Sequence, residues 1–217
     1  MSTPEFSPKG LKLIELYEQM ANQGYERGDG KKVENAYNDF ELRKFRDHVA
    51  TYIKTPYIKS VLDYGCGGSN WEAPDFDPQT GQSAKEYFDL ENVYYYEPAR
   101  DMDERQKVDC VTNFDVMEHI FVSDVPAVLR DICSYAKQMV IINVACYDAA
   151  ARLPNGENAH ITVRKPQWWK GVLDMISIEY PHLNMVLFCS TGYNKVVSFN
   201  VWRAQNWQDS EKFVTKI

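Results

Sequence analysis

Apolar residues recur at helical spacing over residues 11–23, where Leu13, Leu16, Tyr17 and Met20 share one face until Gly24 ends the run. A segment rich in glycine and charge, residues 24–32, separates it from a second helical pattern over 33–54, in which Leu42, Phe45, Val49 and Tyr52 align. Thr55-Pro56 stops that helix, because the residue before proline avoids the α region. From Lys59 the period changes. Ser60 to Tyr64 reads as a strand that runs into Gly65-Cys66-Gly67-Gly68, followed by an irregular acidic stretch, 71–82, and a short helix over 83–91. Residues 93–97, 109–114 and 138–145 read as further strands, the last a β-branched run of the kind buried on both faces. Helices are predicted over 123–136, with Ser123 as N-cap and Pro126 in the first turn, and over 166–178. In the latter Trp168, Trp169, Val172, Leu173 and Ile176 form the apolar face, and a long loop, 146–164, precedes it. Strands over 184–191 and 195–203, joined by Gly192-Tyr193-Asn194, close the chain.

Strands alternating with helices predict a three-layer α/β sandwich with a mostly parallel sheet. The closing pair must be antiparallel, because so short a connection cannot cross over. Two N-terminal helices precede the sheet, so residues 1–57 read as a helical extension or cap and 58–217 as the ligand-binding domain.

Composition narrows the class. The chain has 217 residues, 44% hydrophobic and 25% charged, which is the make-up of a folded protein with a sizeable core. The net charge of −7, with Lys and Arg scattered and no basic stripe, argues against a nucleic-acid partner. No apolar run approaches the ~20 residues of a membrane helix, and residues 1–10 carry no apolar h-region. A cytoplasmic protein is expected. The five cysteines are odd in number and include no C-x-x-C pair, so they read as buried reduced thiols, not as a disulfide framework or a zinc site.

The sharpest chemical signal is Val61-Leu62-Asp63-Tyr64-Gly65-Cys66-Gly67-Gly68. Glycines at the carboxyl end of a strand permit a tight turn and let a ligand lie against bare backbone. The next strand closes with Tyr96-Glu97-Pro98, and a carboxylate at that position is the usual device for gripping ribose hydroxyls.

On these residues the chain resembles the class I S-adenosylmethionine-dependent methyltransferases. VLDYGCGG is similar to their first motif, YYYEPA to their ribose-binding segment and DCVTNFDVMEHI to their fourth-strand motif; the C-terminal hairpin resembles that fold's final antiparallel strand. Residues 143–169 also resemble a segment of a bacterial and phage subgroup whose substrate is unassigned. The resemblance spans residues 58–203 and implies a Rossmann-like sheet with S-adenosyl-L-methionine as cofactor. It makes Asp63, Gly65, Cys66 and Gly67 the cofactor loop, Glu97 with Pro98 the ribose side, and Phe114 with Asp115 the wall beside the adenine or methionine part. The chain departs from the pattern in three places. Residue 69 is Ser where the family has a third glycine; the 71–82 stretch displaces the helix after the glycines; and there is little room for a third strand between Pro98 and Val108. The adenine-side acid is therefore absent or replaced by Asp101 or Asp103.

Glu118 and His119 follow the fourth strand, where they either face the methyl acceptor, with His119 as base, or pack and cap the next loop. With one histidine locally, no metal site is expected there. In the long loop, Asn158 and His160 suit a polar, hydroxyl-rich acceptor, or else form a turn. One of Trp168 and Trp169 reads as core and the other as core or pocket wall. Gly24 to Gly30 could hinge the N-terminal helices over the crevice, with Tyr17, Tyr25 and Tyr37 reaching in. The expected function is methyl transfer to a small, polar acceptor such as a carbohydrate. The alternatives are an inactive cofactor-binding module and, less favoured, a nucleic-acid methyltransferase. A nicotinamide-binding domain would require Gly where residue 70 is Asn.

Overall fold

The computed structural model describes residues 6–34, 40–202 and 212–216. It opens with α1 (Pro8–Gln23), a small hairpin of β1 (Tyr25–Glu26) and β2 (Lys32–Val33), and two short helices, α2 (Phe40–Lys44) and α3 (Arg46–Ile53). The remainder runs β3 (Ser60–Tyr64), α4 (Ala84–Tyr87), β4 (Asn92–Glu97), β5 (Met102–Asp103), β6 (Val108–Phe114), α5 (Val125–Tyr135), β7 (Ala136–Ala145), α6 (Pro166–Glu179), β8 (Asn184–Gly192), β9 (Lys195–Trp202) and β10 (Lys212–Lys216).

Among the described residues the main sheet has eight strands in the order β10-β9-β8-β7-β6-β3-β4-β5. Strands β4, β3, β6, β7 and β8 run parallel, while β5, β9 and β10 pair antiparallel with their neighbours. The chain leaves β3 towards β4 on one side, then returns to place β6 on the other. The order therefore switches between β3 and β6, and a crevice opens at their carboxyl ends.

Successive strand residues point to opposite faces, and both faces are covered. On one face Val128, Leu129 and Ile132 of α5 and Trp169, Leu173 and Ile176 of α6 meet Leu62, Val111, Val140, Ile142 and Leu187. On the other, Phe45, Val49 and Ile53 join Trp71, Phe76 and Phe88 over Val61, Cys110, Ile141, Val186 and Phe188. Each such side chain contributes about 1.5–3 kcal/mol by leaving water. Trp71 and Phe76 of the 71–82 stretch thus fill this layer with aromatic rings. Helix α3 packs into the sheet's core.

Several boundaries differ from the sequence expectation. The second helix is broken at Phe45, and Val33 lies in a strand that pairs with Tyr25. Residues 35–39, including Tyr37, and Arg203 lie outside the described residues. The sheet does not end in the hairpin, because β10 adds a further antiparallel strand beyond β9. The third strand is reduced to the two residues of β5. Its edge is held by Arg105, which reaches Asp103 at 2.7 Å and Asp131 of α5 at 2.9 Å and lies 4.1 Å over the Tyr96 ring.

Ser123 does not cap α5. Asp124 occupies the cap position without a capping bond, because its carboxylate serves another helix. It accepts from the Ser7 amide at 3.2 Å and the Ser7 hydroxyl at 2.8 Å, while Ser7 caps α1 by accepting from Gly10 N–H. A negative charge at a helix N-terminus is favourable, and Asp124 is nearly fully buried there. Gly10 is required by this approach, since a Cβ would sit 2.3 Å from Asp124 Oδ2. So anchored, α1 lies across the turn at Pro98–Arg100 and roofs the crevice.

Asp124→Ala removes a cap anchor and a charge-assisted pair, and about 2 kcal/mol of stability should be lost. Hydrogen exchange should show α1 amides losing protection while β6 and β7 amides keep theirs. Equal loss in helix and sheet would contradict the anchoring role.

Candidate active site

The crevice under α1 is a cavity of about 650 Å³. Gly65, Cys66, Gly67 and Ser69 form its floor at the end of β3, Glu97 and Pro98 one wall, and Phe114, Asp115 and Val116 the other. His119 and His160 close one end, and Leu13, Tyr17, Met20 and Tyr25 form the roof.

The floor is a tight turn. Gly65 and Gly67 have φ of +79° and +56°, which L side chains adopt poorly. At Gly65 a Cβ would also meet Val116 Cγ2 at 2.5 Å. The amides of Gly65 and Cys66 donate to Tyr96 carbonyl oxygen at 2.7 and 3.1 Å, which ties the turn to the end of β4. Glu97 completes the tie: its carboxylate accepts from Gly67 N–H at 2.9 Å and from Ala99 N–H at 3.0 Å. A carboxylate offers about four lone-pair sites. These two bonds leave room for two ligand hydroxyls. Burial raises the Glu97 pKa above its ordinary value, against the lowering effect of the two amides and Arg100.

Asp63 lines the cavity but is engaged, accepting from Trp71 Nε1 at 2.8 Å and Thr112 Oγ1 at 3.4 Å. It thereby holds the aromatic plug against the sheet. Burial, with Asp63 and Glu97 close by, pushes the Cys66 thiol well up, so Cys66 is an uncharged wall and not a nucleophile. Neither Asp101 nor Asp103 lines the cavity, and Asp103 is taken by Arg105. The adenine-side acid expected there is absent from the cavity wall.

At the opposite end Asp115, just past β6, stands in the left-handed region at φ +58°. Tyr17 Oη donates to Ala159 carbonyl oxygen at 2.7 Å, and His119 Nδ1 lies 2.8 Å from Tyr17 Oη and 3.0 Å from Ala159 O. The Ala159 carbonyl can only accept, so a bond to it from Nδ1 puts the proton there and leaves the neutral ring's lone pair on Nε2. Burial and the neighbouring His160 hold the His119 pKa down at about 4. His160 Nδ1 likewise donates to Tyr147 carbonyl oxygen at 2.6 Å, and the two imidazoles stand edge to face at 4.8 Å between centroids.

Other expected site residues lie elsewhere or serve the scaffold. Glu118 is fully buried behind the wall, with Oε1 on the Ala145 amide and Oε2 without a partner. Burial first, and Asp115 second, raise its pKa well above the carboxylate range. It does not reach the cavity and acts as a support. Asn158 is consumed in pinning the loop: its amide bridges Ala149 N and O, each at 2.9 Å, and accepts from His160 N–H. It is a clamp that orients His160, not an acceptor ligand. Trp169 is core and Trp168 packs beside it, so neither lines the cavity.

Residues missed in the sequence include Asp124, Tyr147 and Glu41, all on the cavity wall. Ser7-Pro8 is a legible helix start, but nothing in the linear pattern pairs it with a carboxylate beyond the fourth strand. The wall is acidic: among the described residues its lining includes Glu41, Asp63, Glu97, Asp115 and Asp124 against the single guanidinium of Arg27. No helix begins at the glycine turn, and residues 70–82 are turns and bends. No family model, curated protein or solved structure matches the chain.

Glu41 gives the acidity a measurable consequence. Burial and the charge of Asp115 raise its pKa from 4.5 to about 7, against the lowering effect of Lys44 at 3.3 Å. The folded chain holds this proton more tightly than the unfolded one. The group's contribution is therefore complete below pH 4.5 and lost as pH rises through about 7. The stability difference between Glu41→Gln and wild type should move in the variant's favour by up to about 3 kcal/mol over that interval. Losing the Lys44 ion pair adds an offset that does not change the slope. Denaturant unfolding at several pH values checks it, and a flat difference would contradict the raised pKa.

Proposed function

We propose that the chain binds S-adenosyl-L-methionine in this cavity and transfers its methyl group to a small, polar acceptor. The observation that carries the reading is Glu97: a half-buried carboxylate at the end of β4, hydrogen-bonded to the Gly67 turn of β3, with lone pairs left for two hydroxyls. The parallel strands with β5 follow the doubly wound order, and nucleotide ligands of such sheets lie at the switch point. The acidic wall suits a cofactor carrying a sulfonium and an ammonium group.

The same strand order also serves dinucleotides, but their pyrophosphate rests on a helix N-terminus. The glycine turn here has no helix behind it, and carboxylates surround it. An adenosyl ligand without phosphates fits these residues better. No helix among the described residues is long and apolar enough to cross a membrane. We place the protein in the cytoplasm, where its thiols stay reduced.

In this reading the ribose sits on Glu97, the adenine runs along Pro98 and Ala99, and the sulfonium points towards Asp115, His119 and His160. Methyl transfer needs in-line positioning and a path for the acceptor's proton. The Nε2 lone pairs of His119 and His160 are the acceptors at that end. With its pKa near 4, His119 is a weak base for an unassisted hydroxyl. It orients the acceptor more than it deprotonates it.

Glu97→Ala removes a charge-assisted bond to the ribose, a loss of about 1.5–3 kcal/mol, so affinity for S-adenosyl-L-methionine should fall tenfold or more. Calorimetry on the folded variant measures this. Unchanged affinity, or no binding by the wild-type chain, would remove the assignment.

A further inference from the structure

We propose that Asp115, His119 and His160 form a site for one divalent first-row transition-metal ion, of which zinc is the type, at the end of the cavity. Each of the three offers a ligand atom, and these atoms lie within 4.8 Å of one another. Two histidines and one carboxylate form a donor set of the open, catalytic kind, which leaves coordination positions for solvent or substrate. The mixed nitrogen and oxygen donors favour zinc, iron or manganese over magnesium or calcium, which take oxygen ligands.

Three features prepare these side chains for a metal. Both imidazoles bond a backbone carbonyl through Nδ1, of Ala159 and Tyr147, which sets the tautomer that leaves the Nε2 lone pairs for a ligand. Backbone and carboxylate partners of this kind are what orient metal-binding histidines. Asp115 is exposed and held at φ +58°, with a carboxylate oxygen near both rings. Ligands at about 2.1 Å from a tetrahedral ion lie about 3.4 Å apart, so closing the set takes little more than 1 Å of movement. Finally, the Oε2 of the fully buried Glu118 meets no N–H or hydroxyl donor, and its carboxyl group sits beside Asp115. A cation held by Asp115 would lie next to that oxygen. One local histidine concealed the set in the sequence, because His160 arrives from the far end of the long loop.

The site stands on these residues alone. Its use in the reaction rests on the methyl-transfer reading: an acceptor hydroxyl on an open position would lose its proton more readily, which supplies what His119 lacks.

The test uses the full chain, stripped with a chelator and dialysed. Titration with Co²⁺ alone should give a visible d–d absorption that saturates at one ion per chain and is displaced by Zn²⁺. His160→Gln and Asp115→Asn should each weaken Co²⁺ binding at least tenfold, whereas Glu97→Ala should bind it as the wild type does. That last variant separates failure of the metal site from failure of the cofactor reading. If a ligand variant does not fold, nitrogen-15 spectra of the wild-type imidazoles decide: of the four histidines, Zn²⁺ should shift His119 and His160 and leave His48 and His182 in place. Absence of saturable one-to-one binding, or shifts confined to His48 or His182, overturns the proposal.

Discussion

The architecture turns on the parting of the chain at β3. Because β4 lies on one side of that strand and β6 on the other, the connections leave the sheet in opposite directions and cannot cover its carboxyl edge. An uncovered edge of this kind exposes turn amides and apolar walls together. Here the cover comes from α1 and the loop after β7, and Leu13, Met20, Leu153 and Ala159 form their shared apolar seam. Three polar ties fix it in place: Asp124 on Ser7, Tyr17 on Ala159 and His119, and the β1 hairpin on the loop through Gly28 and Ala150. The roof is thus held by the residues that face the cavity, so changes at the site and motion of the roof are coupled.

Much of this was legible in the chain. The short strand Ser60–Tyr64, the β-branched run of β7 and the apolar face of α6 are local patterns set by burial, and they lie within a residue or two of expectation. The glycine turn and Glu97 were legible because backbone sterics and a strand's end are sequence-local constraints. What escaped was long-range. Asn158 reads as a loop donor until Ala149 claims both sides of its amide. Glu118 reads as an acid beside His119 until the single turn at Met117–His119 places it inward. Asp124, next to the expected cap Ser123, answers to a helix more than a hundred positions earlier. Broken helices such as α2 and α3 carry helical periodicity straight across the break at Phe45, so the pattern alone hides it.

Electrostatics divides the cavity into two ends with different chemistry. Around Glu97 the polar groups are amides and carboxylate oxygens in fixed hydrogen bonds, suited to neutral hydroxyls. Around Asp115 they are imidazole nitrogens and carboxyl groups, and burial holds the His119 pKa down at about 4 and raises that of Glu118 well above its ordinary value. The carboxyl groups at that end suit positive charge, from a sulfonium, a metal ion or both, and a neutral His119 does not repel it. The raised Glu41 carries the same signature further along the wall.

The central claim is that one adenosyl ligand spans these two ends. A crystal structure of the chain with S-adenosylhomocysteine tests it most directly. The account predicts both ribose hydroxyls on the Glu97 carboxylate and the thioether sulfur turned towards Asp115, His119 and His160, under an unmoved α1. Ligand density elsewhere, or the ribose away from Glu97 with the cavity unfilled at saturating ligand, would contradict it.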